Sequence, residues 1–400
     1  MKIGINGRFL MTKQTGVQRA AINMVTTLIR FDRKNQYILF VGHKELEKHE
    51  WSYPNVTLVL SNLRSGETLR NIFWEQIILP KLAKKHKIDV LHSPANMAPL
   101  FYKGKSIVHI HDLCFIVNPQ WYSFAFRNWY RFVIPRIAKK ASQVVTNSNN
   151  SRNDLLQYCK TRLDSISLVY WAVDDFFLHS DSKETVLDRP REDYILYVGS
   201  LEPRKNIKLL VEAYGILRKQ NPDIKTKLVL IGGESPLFAE FTLTIREFKE
   251  DILLTGFVDE ENLRKHYREA KILVYPSLYE GFGFPPLEAM ASGTPVVTSQ
   301  SSSLPEVVGD AALTVDASNA PQLADAMFDL LKDQELRNRL IRKGYARVRK
   351  FTWERVVRKI LAIYQQVYHG NLISYSQWKE LRSEESVVHL PDDSSENLLC

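Results

Sequence analysis

The sequence predicts an α/β protein built from two doubly wound, Rossmann-like domains that face each other across a cleft. Short apolar runs alternate with amphipathic stretches from one end of the chain to the other, which is typical of parallel sheets with helices on both faces. The apolar runs lack in–out alternation, as expected for strands that are buried on both faces. Because 400 residues exceed one ordinary core, we expect two domains.

The predicted strands form two consecutive sets. The first set is KIGIN, YILFVG, VTLVL, DVLHS, KSIVHIH and SQVVTN, and the second is YILYVG, KLVLIGG, DILLTG, KILVYPS, TPVVTS and AALTVD. Amphipathic helices are predicted over VQRAAINMVTTLIR and NIKLLVEAYGIL. A further helix is predicted over 351–367, with Thr352 as its N-cap and Glu354 in its first turn.

The domain boundaries follow from a polar, turn-rich stretch between the two sets of strands. We predict a first domain over residues 1–170, a linker over 171–192 and a second domain over 193–350. The helix over 351–370 is predicted to pack back toward the first domain. Residues 371–400 are polar and acidic, which predicts a disordered tail.

The composition indicates a soluble, cytoplasmic protein, with 44% hydrophobic and 25% charged residues. No apolar run approaches the roughly 18 residues of a membrane-spanning helix, and the N-terminus lacks the apolar region of a signal peptide. The three cysteines, Cys114, Cys159 and Cys400, are odd in number and lack metal-ligand spacing. This usage is typical of a reducing compartment.

The charge of the chain is unevenly distributed. The formal net charge is +9, and since the last 30 residues carry −4, the remainder carries +13. Such an excess suits nucleic acid, a phosphorylated small molecule or an acidic lipid surface, although no nucleic-acid motif is present. Cations concentrate in KLAKKHK (81–87) and, interleaved with aromatics, in 121–140. These segments are either solvated helix faces with aromatics in the core or a membrane-surface patch.

Two cations follow the first strand of the second set. Arg204 and Lys205 come directly after YILYVGSLEP, and we predict that they lie in the first turn of the next helix, where the helix dipole disfavours positive charge. A bound diphosphate would stabilise them there, because it would also accept hydrogen bonds from the helix N-terminus. A solvent-exposed basic turn is the alternative.

A second unusual segment, EGFGFPPLE (280–288), follows the strand KILVYPS. The two prolines suit the first positions of a helix, so that Glu288 is predicted in its first turn and Glu280 on the far side of the glycine loop. Carboxylates accept hydrogen bonds from a vicinal diol, and Gly281 and Gly283 allow a ligand to approach the backbone. Helix capping would explain only one of the glutamates.

On these residues the chain resembles glycosyltransferase family 4, the retaining nucleotide-sugar transferases of the GT-B fold. The resemblance covers roughly residues 1–368 and also rests on PRKN, LTGFVDEENL and SSLPEVVGDAA. It implies that Glu288 holds the ribose hydroxyls of the donor and that Glu280 contacts the donor near its phosphate and transferred sugar. It further implies that Arg204 and Lys205 neutralise the diphosphate.

The same resemblance implies further donor contacts. Backbone amides of Phe282, Gly283 and Phe284 would hold sugar hydroxyls, and Val258, with its neighbour Phe257, would flank the base. In the first half, Gly16 of NGRFLMTKQTGVQR would let its loop approach the leaving diphosphate. His111, after KSIVHI, is similar to the family's histidine near the reactive face of the sugar; otherwise it is a buried, hydrogen-bonded histidine.

The predicted activity is therefore transfer of a hexosyl unit from a nucleotide sugar to an acceptor hydroxyl with retained anomeric configuration. The branch of the family that it most resembles assembles O-antigen and other surface polysaccharides, which suggests GDP-mannose as donor and a glycan or polyprenyl-linked glycan as acceptor. Docking to the inner face of the cell membrane follows if the acceptor is lipid-linked.

Other functional classes remain open or are excluded. The chain has no phosphate loop, no complete dinucleotide fingerprint and no nucleophile elbow. It also has no Asp-x-Asp triplet, so that we expect no metal requirement and no cofactor. A sugar-nucleotide epimerase of the same architecture and a non-catalytic protein that binds an anionic ligand are the two alternatives.

Overall fold

The computed structural model describes residues 1–11, 15–42, 51, 53–61, 63, 66–178, 187, 189–233, 248 and 250–370. The predicted tail over 371–400 lies outside the described residues, as does part of the predicted linker. The described chain forms two parallel sheets, each with helices packed around it.

The first lobe is built on a seven-stranded sheet in which all the neighbouring strands pair in parallel. Its strands are β1 Lys2–Asn6, β2 Gln36–Gly42, β3 Val56–Ser61, β4 Val90–Ser93, β5 Lys105–His109, β6 Gln143–Thr146 and β7 Ile166–Leu168. Their order in the sheet is β3-β2-β1-β4-β5-β6-β7. The six predicted strands of this half are confirmed, and β7 is an addition.

The helices of the first lobe follow the strands in the manner of a doubly wound fold. They are α1 Gly16–Phe31, α2 Thr68–Phe73, α3 Leu79–Lys85, α4 Cys114–Val117, α5 Phe124–Lys140, α6 Asn149–Cys159 and α7 Asp175–Leu178. A π-helical turn, Trp74–Ile78, joins α2 to α3. α1 buries Ala20, Met24 and Leu28 at helical spacing, so that this stripe packs into the core.

The second lobe contains a six-stranded parallel sheet of order β10-β9-β8-β11-β12-β13. Its strands are β8 Tyr194–Val198, β9 Lys227–Ile231, β10 Ile252–Gly256, β11 Ile272–Tyr275, β12 Val296–Ser299 and β13 Leu313–Val315. Its described helices are α8 Ile207–Gln220, α9 Glu260–Glu269, α10 Phe284–Ala291, α11 Leu304–Val308, α12 Ala320–Lys332 and α13 Gln334–Val348. All six predicted strands of this half are confirmed.

The last described helix, α14 (Trp353–His369), returns to the first lobe. Thr352 caps it by accepting a hydrogen bond from the Arg355 amide, and Glu354 lies in its first turn, as predicted. The helix packs against α1 and against strands β4 and β5. The hydroxyl of Tyr364 lies 2.6 Å from Nδ1 of His92 at the end of β4. The C-terminal helix α14 therefore connects the second lobe back to the first.

The strand orders locate the place where a ligand should bind. In each sheet the order reverses next to the first strand of the lobe, between β1 and β4 and between β8 and β11. Ligands of doubly wound sheets bind beyond the carboxyl ends of strands at such switch points. The segments that follow β8 and β11 contain the cations and glutamates singled out in the sequence.

Candidate active site

The predicted cationic pair lies in a short 3₁₀ turn, Pro203–Lys205, directly beyond β8. The prediction that both cations lie in the first turn of a helix is wrong, because Asn206 adopts a left-handed conformation with φ of 58° and α8 begins only at Ile207. The Asn206 side chain donates to the backbone oxygens of Pro276 (3.1 Å) and Ala317 (2.8 Å). These bonds hold the turn against the loops of neighbouring strands.

Glu280, which follows β11, brings the two cations together. Arg204, Lys205 and Glu280 form what we call the cation cluster. Lys205 Nζ lies 2.5 Å from Glu280 Oε1, and Arg204 Nη1 lies 3.3 Å from Glu280 Oε2. The Tyr275 hydroxyl also donates to Oε1, at 2.8 Å. Burial acts to raise the pKa of Glu280, but Lys205 and then Arg204 outweigh it and lower that pKa to about 2. The carboxylate is therefore ionised in its buried site.

The two cations differ in their exposure. Lys205 is buried, whereas the Arg204 side chain is a quarter exposed and also pairs with Glu202, its Nε lying 2.9 Å from Oε2. Burial and the positive charge of Arg204 lower the pKa of Lys205. Arg204 thus presents guanidinium N–H groups at the margin of the cluster, where a second anion would find charge-assisted donors.

The glycine loop between β11 and α10 packs closely against the residues around it. Gly283 has a φ of 118°, a conformation that favours glycine. The Ser303 hydroxyl donates to the Phe282 oxygen at 2.7 Å, which holds the loop. Pro285 and Pro286 lie in the first turn of α10, as predicted, but Glu288 lies in the second turn and not the first. The helix begins at Phe284, one residue before its predicted start at Pro285.

Glu288 occupies a separate buried position. It is 2% exposed, and its Oε2 accepts a hydrogen bond of 2.9 Å from the Tyr267 hydroxyl. Its Oε1 forms an ion pair with Arg19, which comes from α1 of the first lobe. Glu280 and Glu288 therefore have different partners, and of these two glutamates only Glu280 contacts the cationic pair.

His111 lies at the end of the segment after β5, on the first-lobe side. Its Nε2 lies 3.1 Å from the Pro94 oxygen, and because that oxygen can only accept, Nε2 carries the proton. Burial lowers the pKa of His111 to about 4, so that the ring is neutral. Its Nδ1 is then a buried acceptor with no hydrogen-bond partner among the described residues.

The remaining predicted residues lie around this cluster. Gly16 is the first residue of α1, and a Cβ there would meet the Phe284 ring at 3.3 Å, so that these two residues face each other across the cleft. Phe282 is buried and stacks edge-on with Phe284. Val258 is half-buried against the second-lobe core, beyond the end of β10. Its role toward a base stays a prediction.

Two residues of the candidate site were not predicted from the sequence. Arg19 pairs with Glu288, and the spacing within α1 carries no sign of this partner. Asp112 is half-buried, and a Cβ at Gly281 would lie 3.3 Å from its Oδ2. Burial raises the pKa of Asp112 above its usual value, although the Cys114 amide and Arg204 act to lower it. A signal for Asp112 was present, since it directly follows His111 at a strand end.

The two lobes meet along a seam of direct contacts beside the cluster. The Tyr279 hydroxyl donates to Asp154 Oδ2 at 2.6 Å. The Glu306 carboxylate accepts from the amides of Asn149 (2.8 Å) and Asn150 (3.0 Å) at the start of α6, where a helix dipole favours negative charge. A Cβ at Gly281 would lie 2.6 Å from the His111 oxygen. The cleft is thus closed in this structure.

The described residues also line cavities outside the cation cluster. A small one of about 110 Å³ lies beyond β1 and β4 in the first lobe, and its lining includes Arg8, Glu75, Pro94, Asn96 and Tyr130. Asn96 and Pro94 also bond His111, so that this cavity adjoins the site. A larger groove of about 680 Å³ runs along α14 and contains none of the predicted site residues.

The first lobe and the second lobe each match a glycosyltransferase family model. The model described as Glycosyltransferase Family 4 matches residues 15–175, and that described as Glycosyl transferases group 1 matches residues 180–347. Two facing doubly wound lobes are the architecture of GT-B glycosyltransferases. The protein is accordingly a GT-B glycosyltransferase. Within that class, the chain belongs to glycosyltransferase family 4.

Individual proteins agree with this assignment. The O-antigen chain mannosyltransferase B of Escherichia coli is 29% identical over 291 residues, which are 70% of this chain and 75% of that protein. Sucrose-phosphate synthase of Thermosynechococcus elongatus superposes with a TM-score of 0.71 at 20% identity, over 93% of this chain and all of that chain. HepE of Anabaena, in complex with UDP-glucose, superposes with a TM-score of 0.69 at 18% identity, over 92% of this chain and all of that chain.

The solved structures and the curated relative carry different information about the chain. The solved structures share the fold, and the curated relative shows that the chain has a mannosyltransferase among its homologues. Within the described ranges, no helix has both the length and the apolar character needed to cross a membrane.

Proposed function

We propose that the protein is a retaining mannosyltransferase that uses GDP-mannose and acts on a glycan or polyprenyl-linked glycan. The observation that carries the proposal is the cation cluster at the switch point between β8 and β11. Arg204 and Lys205 converge on Glu280 there, opposite His111 of the first lobe. The O-antigen mannosyltransferase relative supports the choice of sugar, and the neighbour solved with UDP-glucose supports a nucleotide-sugar donor.

The chemistry follows from the charges that develop during transfer. The bond between the sugar C1 and the diphosphate oxygen breaks, the bond between C1 and the acceptor oxygen forms, and the acceptor proton passes to the leaving phosphate. Negative charge grows on the diphosphate, and preorganised cations facing it supply the largest stabilisation. We assign this role to Arg204 because its side chain is partly exposed at the margin of the cluster, and a supporting role to Glu280 and Lys205, which are buried beside it.

Retention of configuration is proposed through attack on the same face as the leaving group. Glu280 is poorly suited to act as a nucleophile, because Lys205 and Arg204 hold it as an ion pair and its pKa lies near 2. The neutral His111 ring offers Nδ1 as an acceptor for a hydroxyl of the transferred sugar. Glu288 would accept the ribose hydroxyls after Arg19 leaves its Oε1.

The acceptor is proposed to enter from the first lobe. The cavity lined by Arg8, Glu75 and Tyr130 adjoins the peptide segment that bonds His111. A lipid-linked acceptor would require the protein to associate peripherally with the anionic inner face of the cell membrane. We expect no nucleic-acid partner, no cofactor and no metal ion.

A panel of nucleotide sugars tests the donor assignment. GDP-mannose should raise the melting temperature more than UDP-glucose, UDP-galactose or GDP alone, because a ligand that binds only the folded form stabilises it. Nuclear magnetic resonance of the product should then show an α-linked mannose formed from an α-linked donor. Isomerised nucleotide sugar without acceptor would identify an epimerase, and binding without turnover would identify a binding protein. Addition of EDTA should leave turnover unchanged.

A further inference from the structure

We propose that the first lobe binds an anionic lipid bilayer through a surface formed by two helical segments and Phe101. This docking face consists of the outward side of the continuous helix from Thr68 to Lys85, the exposed side of α5 and Phe101 between them. The proposal extends the lipid-linked acceptor of the proposed function, but the surface is argued from exposure and charge alone.

The first part of the docking face is an apolar line on the helix from Thr68 to Lys85. Leu69, Phe73 and Ile77 recur every four residues and are all exposed, Leu69 to 83%. The opposite side of the same helix is buried and includes Glu75 and Leu79. A helix that buries one side normally places polar residues on the other, so that this exposed apolar line requires a partner.

The second part is α5, which exposes several aromatic side chains along its length. Phe124 is 72% exposed, and Phe126, Trp129 and Phe132 are also exposed. The reading of segment 121–140 as a helix with core-facing aromatics is therefore wrong for these four rings. Tyr130, like Tyr122 before the helix, packs against the core of the first lobe, and Tyr130 also lines the small cavity there. Large exposed apolar patches mark interaction surfaces.

Hydrogen bonds connect the two helical segments into one surface. Gln76 Nε2 donates to the Ala98 oxygen at 3.1 Å, and the Leu100 amide donates to Gln76 Oε1 at 2.7 Å. From the other side, Lys140 Nζ donates to the Leu100 oxygen at 2.5 Å. Phe101, which is 65% exposed, follows directly after this junction. The Lys140 Nζ lies 6.0 Å from the Phe101 ring centroid, so that Phe101 lies between the end of α5 and the helix from Thr68 to Lys85.

The charge of the docking face identifies the partner. From Thr68 to Lys85 and from Phe124 to Lys140 the only acidic residue is Glu75, which is fully buried. The two segments carry nine basic residues, namely Arg70, Lys81, Lys84, Lys85, Arg127, Arg131, Arg136, Lys139 and Lys140. Cations interleaved with aromatic and aliphatic side chains fit an anionic headgroup layer above acyl chains.

Cations and rings are also in direct contact on this face. The Arg136 guanidinium lies 3.6 Å from the Phe132 ring centroid, and that of Arg127 lies 5.2 Å from the Phe124 ring centroid. A second copy of the chain would bring two cationic faces together, which disfavours a dimer. Single-stranded nucleic acid would stack on the rings, but Leu69 and Ile77 offer it no stacking surface. A bilayer satisfies the aliphatic, aromatic and basic groups together.

Vesicle binding tests the proposal in the full-length protein. The wild type should cosediment with vesicles of mixed phosphatidylglycerol and phosphatidylcholine and much less with phosphatidylcholine alone. The triple variant Leu69→Ser, Phe73→Ser, Phe124→Ser should lose at least about tenfold in partition coefficient, because exposed apolar side chains drive insertion. A variant with Lys81, Lys84, Arg131 and Lys139 changed to Gln should lose about fivefold per cation on the anionic vesicles.

Matched variants elsewhere in the chain serve as controls. Leu163→Ser with Leu253→Ser removes exposed leucines outside the docking face, and Lys332→Gln with Arg339→Gln and Arg342→Gln removes exposed cations of the second lobe. Both should bind vesicles like the wild type. Equal vesicle binding by the triple serine variant and the wild type would overturn the proposal, as would equal retention on phosphatidylcholine or preferential binding to single-stranded DNA.

The vesicle-binding test and the donor-binding test of the proposed function can fail independently of each other. The serine and glutamine variants leave the cation cluster untouched, so that their melting-temperature shift with the donor should equal that of the wild type. Loss of vesicle binding with an unchanged donor response supports the docking face. Vesicle binding by a protein that responds to no nucleotide sugar would retain the docking face and reject the donor assignment.

Discussion

At the scale of single residues, Arg204 and Lys205 both contact Glu280 but differ in their exposure to solvent. Lys205 is buried against Glu280 and Tyr275, whereas Arg204 is a quarter exposed at the margin of the cluster. We therefore expect Lys205 to contribute mainly to the stability of the second lobe and Arg204 to contribute mainly to the charge that faces a ligand. Substitutions should separate these two contributions.

Arg204→Ala should lower kcat by about 10²–10³-fold, since it removes preorganised charge from the leaving diphosphate. The melting temperature should change little, because the side chain is partly solvated. Lys208→Ala, on the exposed side of α8, is the matched control and should leave kcat unchanged. Steady-state kinetics with the donor found in the panel would make the measurement. Near-normal turnover of Arg204→Ala would remove this residue from the mechanism.

Lys205→Ala should instead destabilise the protein by about 3 kcal/mol, the lower end of the cost of breaking a buried ion pair, because the Glu280 carboxylate then keeps only the more distant, partly exposed Arg204 as its cation. Chemical denaturation followed by circular dichroism measures this change. The double variant Lys205→Ala, Glu280→Ala should recover part of the loss, since no unpaired charge then remains. A double variant less stable than Lys205→Ala would contradict this explanation.

Glu288→Gln should raise the KM for the donor by about 10–100-fold with a smaller change in kcat, because hydrogen bonds to a charged group are worth about 1.5–3 kcal/mol. The ribose lies far from the reacting bond, so that its binding energy is shared by ground and transition states. Tyr267→Phe removes only the 2.9 Å bond to the same carboxylate and should have a milder effect. A KM unchanged by Glu288→Gln would show that the ribose binds elsewhere.

Individual site residues were predictable where the chemistry is local in sequence. Arg204, Lys205 and Glu280 follow strand ends, and their residue types suggest a diphosphate site. Arg19 was not predictable in this way, because its partner Glu288 lies in the other lobe and only the docking of the lobes brings them together. No spacing within one segment encodes such a contact.

At the scale of elements, the loop between β11 and α10 forms part of the seam between the lobes. Gly281 has an ordinary backbone conformation, since its φ is not in the left-handed region. Alanine is excluded there by a neighbour rather than by the backbone, because its Cβ would lie 2.6 Å from the His111 oxygen. The glycine thus permits the lobes to close.

Gly281→Ala should therefore separate the lobes without unfolding either of them. We expect a larger radius of gyration by small-angle X-ray scattering and a lower kcat, with a far-ultraviolet circular dichroism spectrum like that of the wild type. Tyr279→Phe, which removes the 2.6 Å bond to Asp154, should widen the seam less. An unchanged radius of gyration with normal kcat would show that the seam accommodates the methyl group.

The elements also show where prediction from sequence succeeds. Twelve apolar runs became strands, most of them because central strands of a parallel sheet are buried on both faces and demand continuous apolar sequence, whereas β3 and β10 are largely exposed edge strands. The one described strand that was not predicted, β7, has three residues at the edge of its sheet. So short a strand shows no recognisable apolar run in the sequence. The starts of α8 and α10 were misplaced because a 3₁₀ turn precedes α8 and Phe284 precedes the prolines of α10.

At the scale of the whole molecule, a row of buried rings connects the cleft to α14. The ring centroids of His111 and His109 are 5.9 Å apart, those of His109 and His92 are 4.8 Å apart, and His92 contacts Tyr364 of α14. All three histidines are buried. The row crosses the part of the first lobe on which the returning helix packs, so that its protonation state bears on the stability of the entire fold.

Burial lowers the pKa of His92 to about 3 and that of His111 to about 4, and it lowers the pKa of His109 well below its usual value. Below pH 6.5 these histidines bind protons in the unfolded chain but not in the folded protein, so that stability must fall as the pH is lowered. Each contributes about 1.4 kcal/mol per pH unit between pH 6.5 and its folded pKa, whereas Glu280, with its depressed pKa, begins to contribute only below about 4.5.

These three histidines should therefore lower the free energy of unfolding as the pH falls below 6.5, with a combined slope that approaches about 4 kcal/mol per pH unit once they are fully protonated in the unfolded chain. Urea denaturation at a series of pH values measures this slope. His92→Gln should reduce the slope by up to about 1.4 kcal/mol per pH unit, because it removes one of the groups that cause it. His369→Gln, at the exposed end of α14, should leave the slope unchanged. A free energy of unfolding that stayed constant from pH 6.5 to pH 5 would mean that these histidines are already protonated, or solvated, in the folded protein.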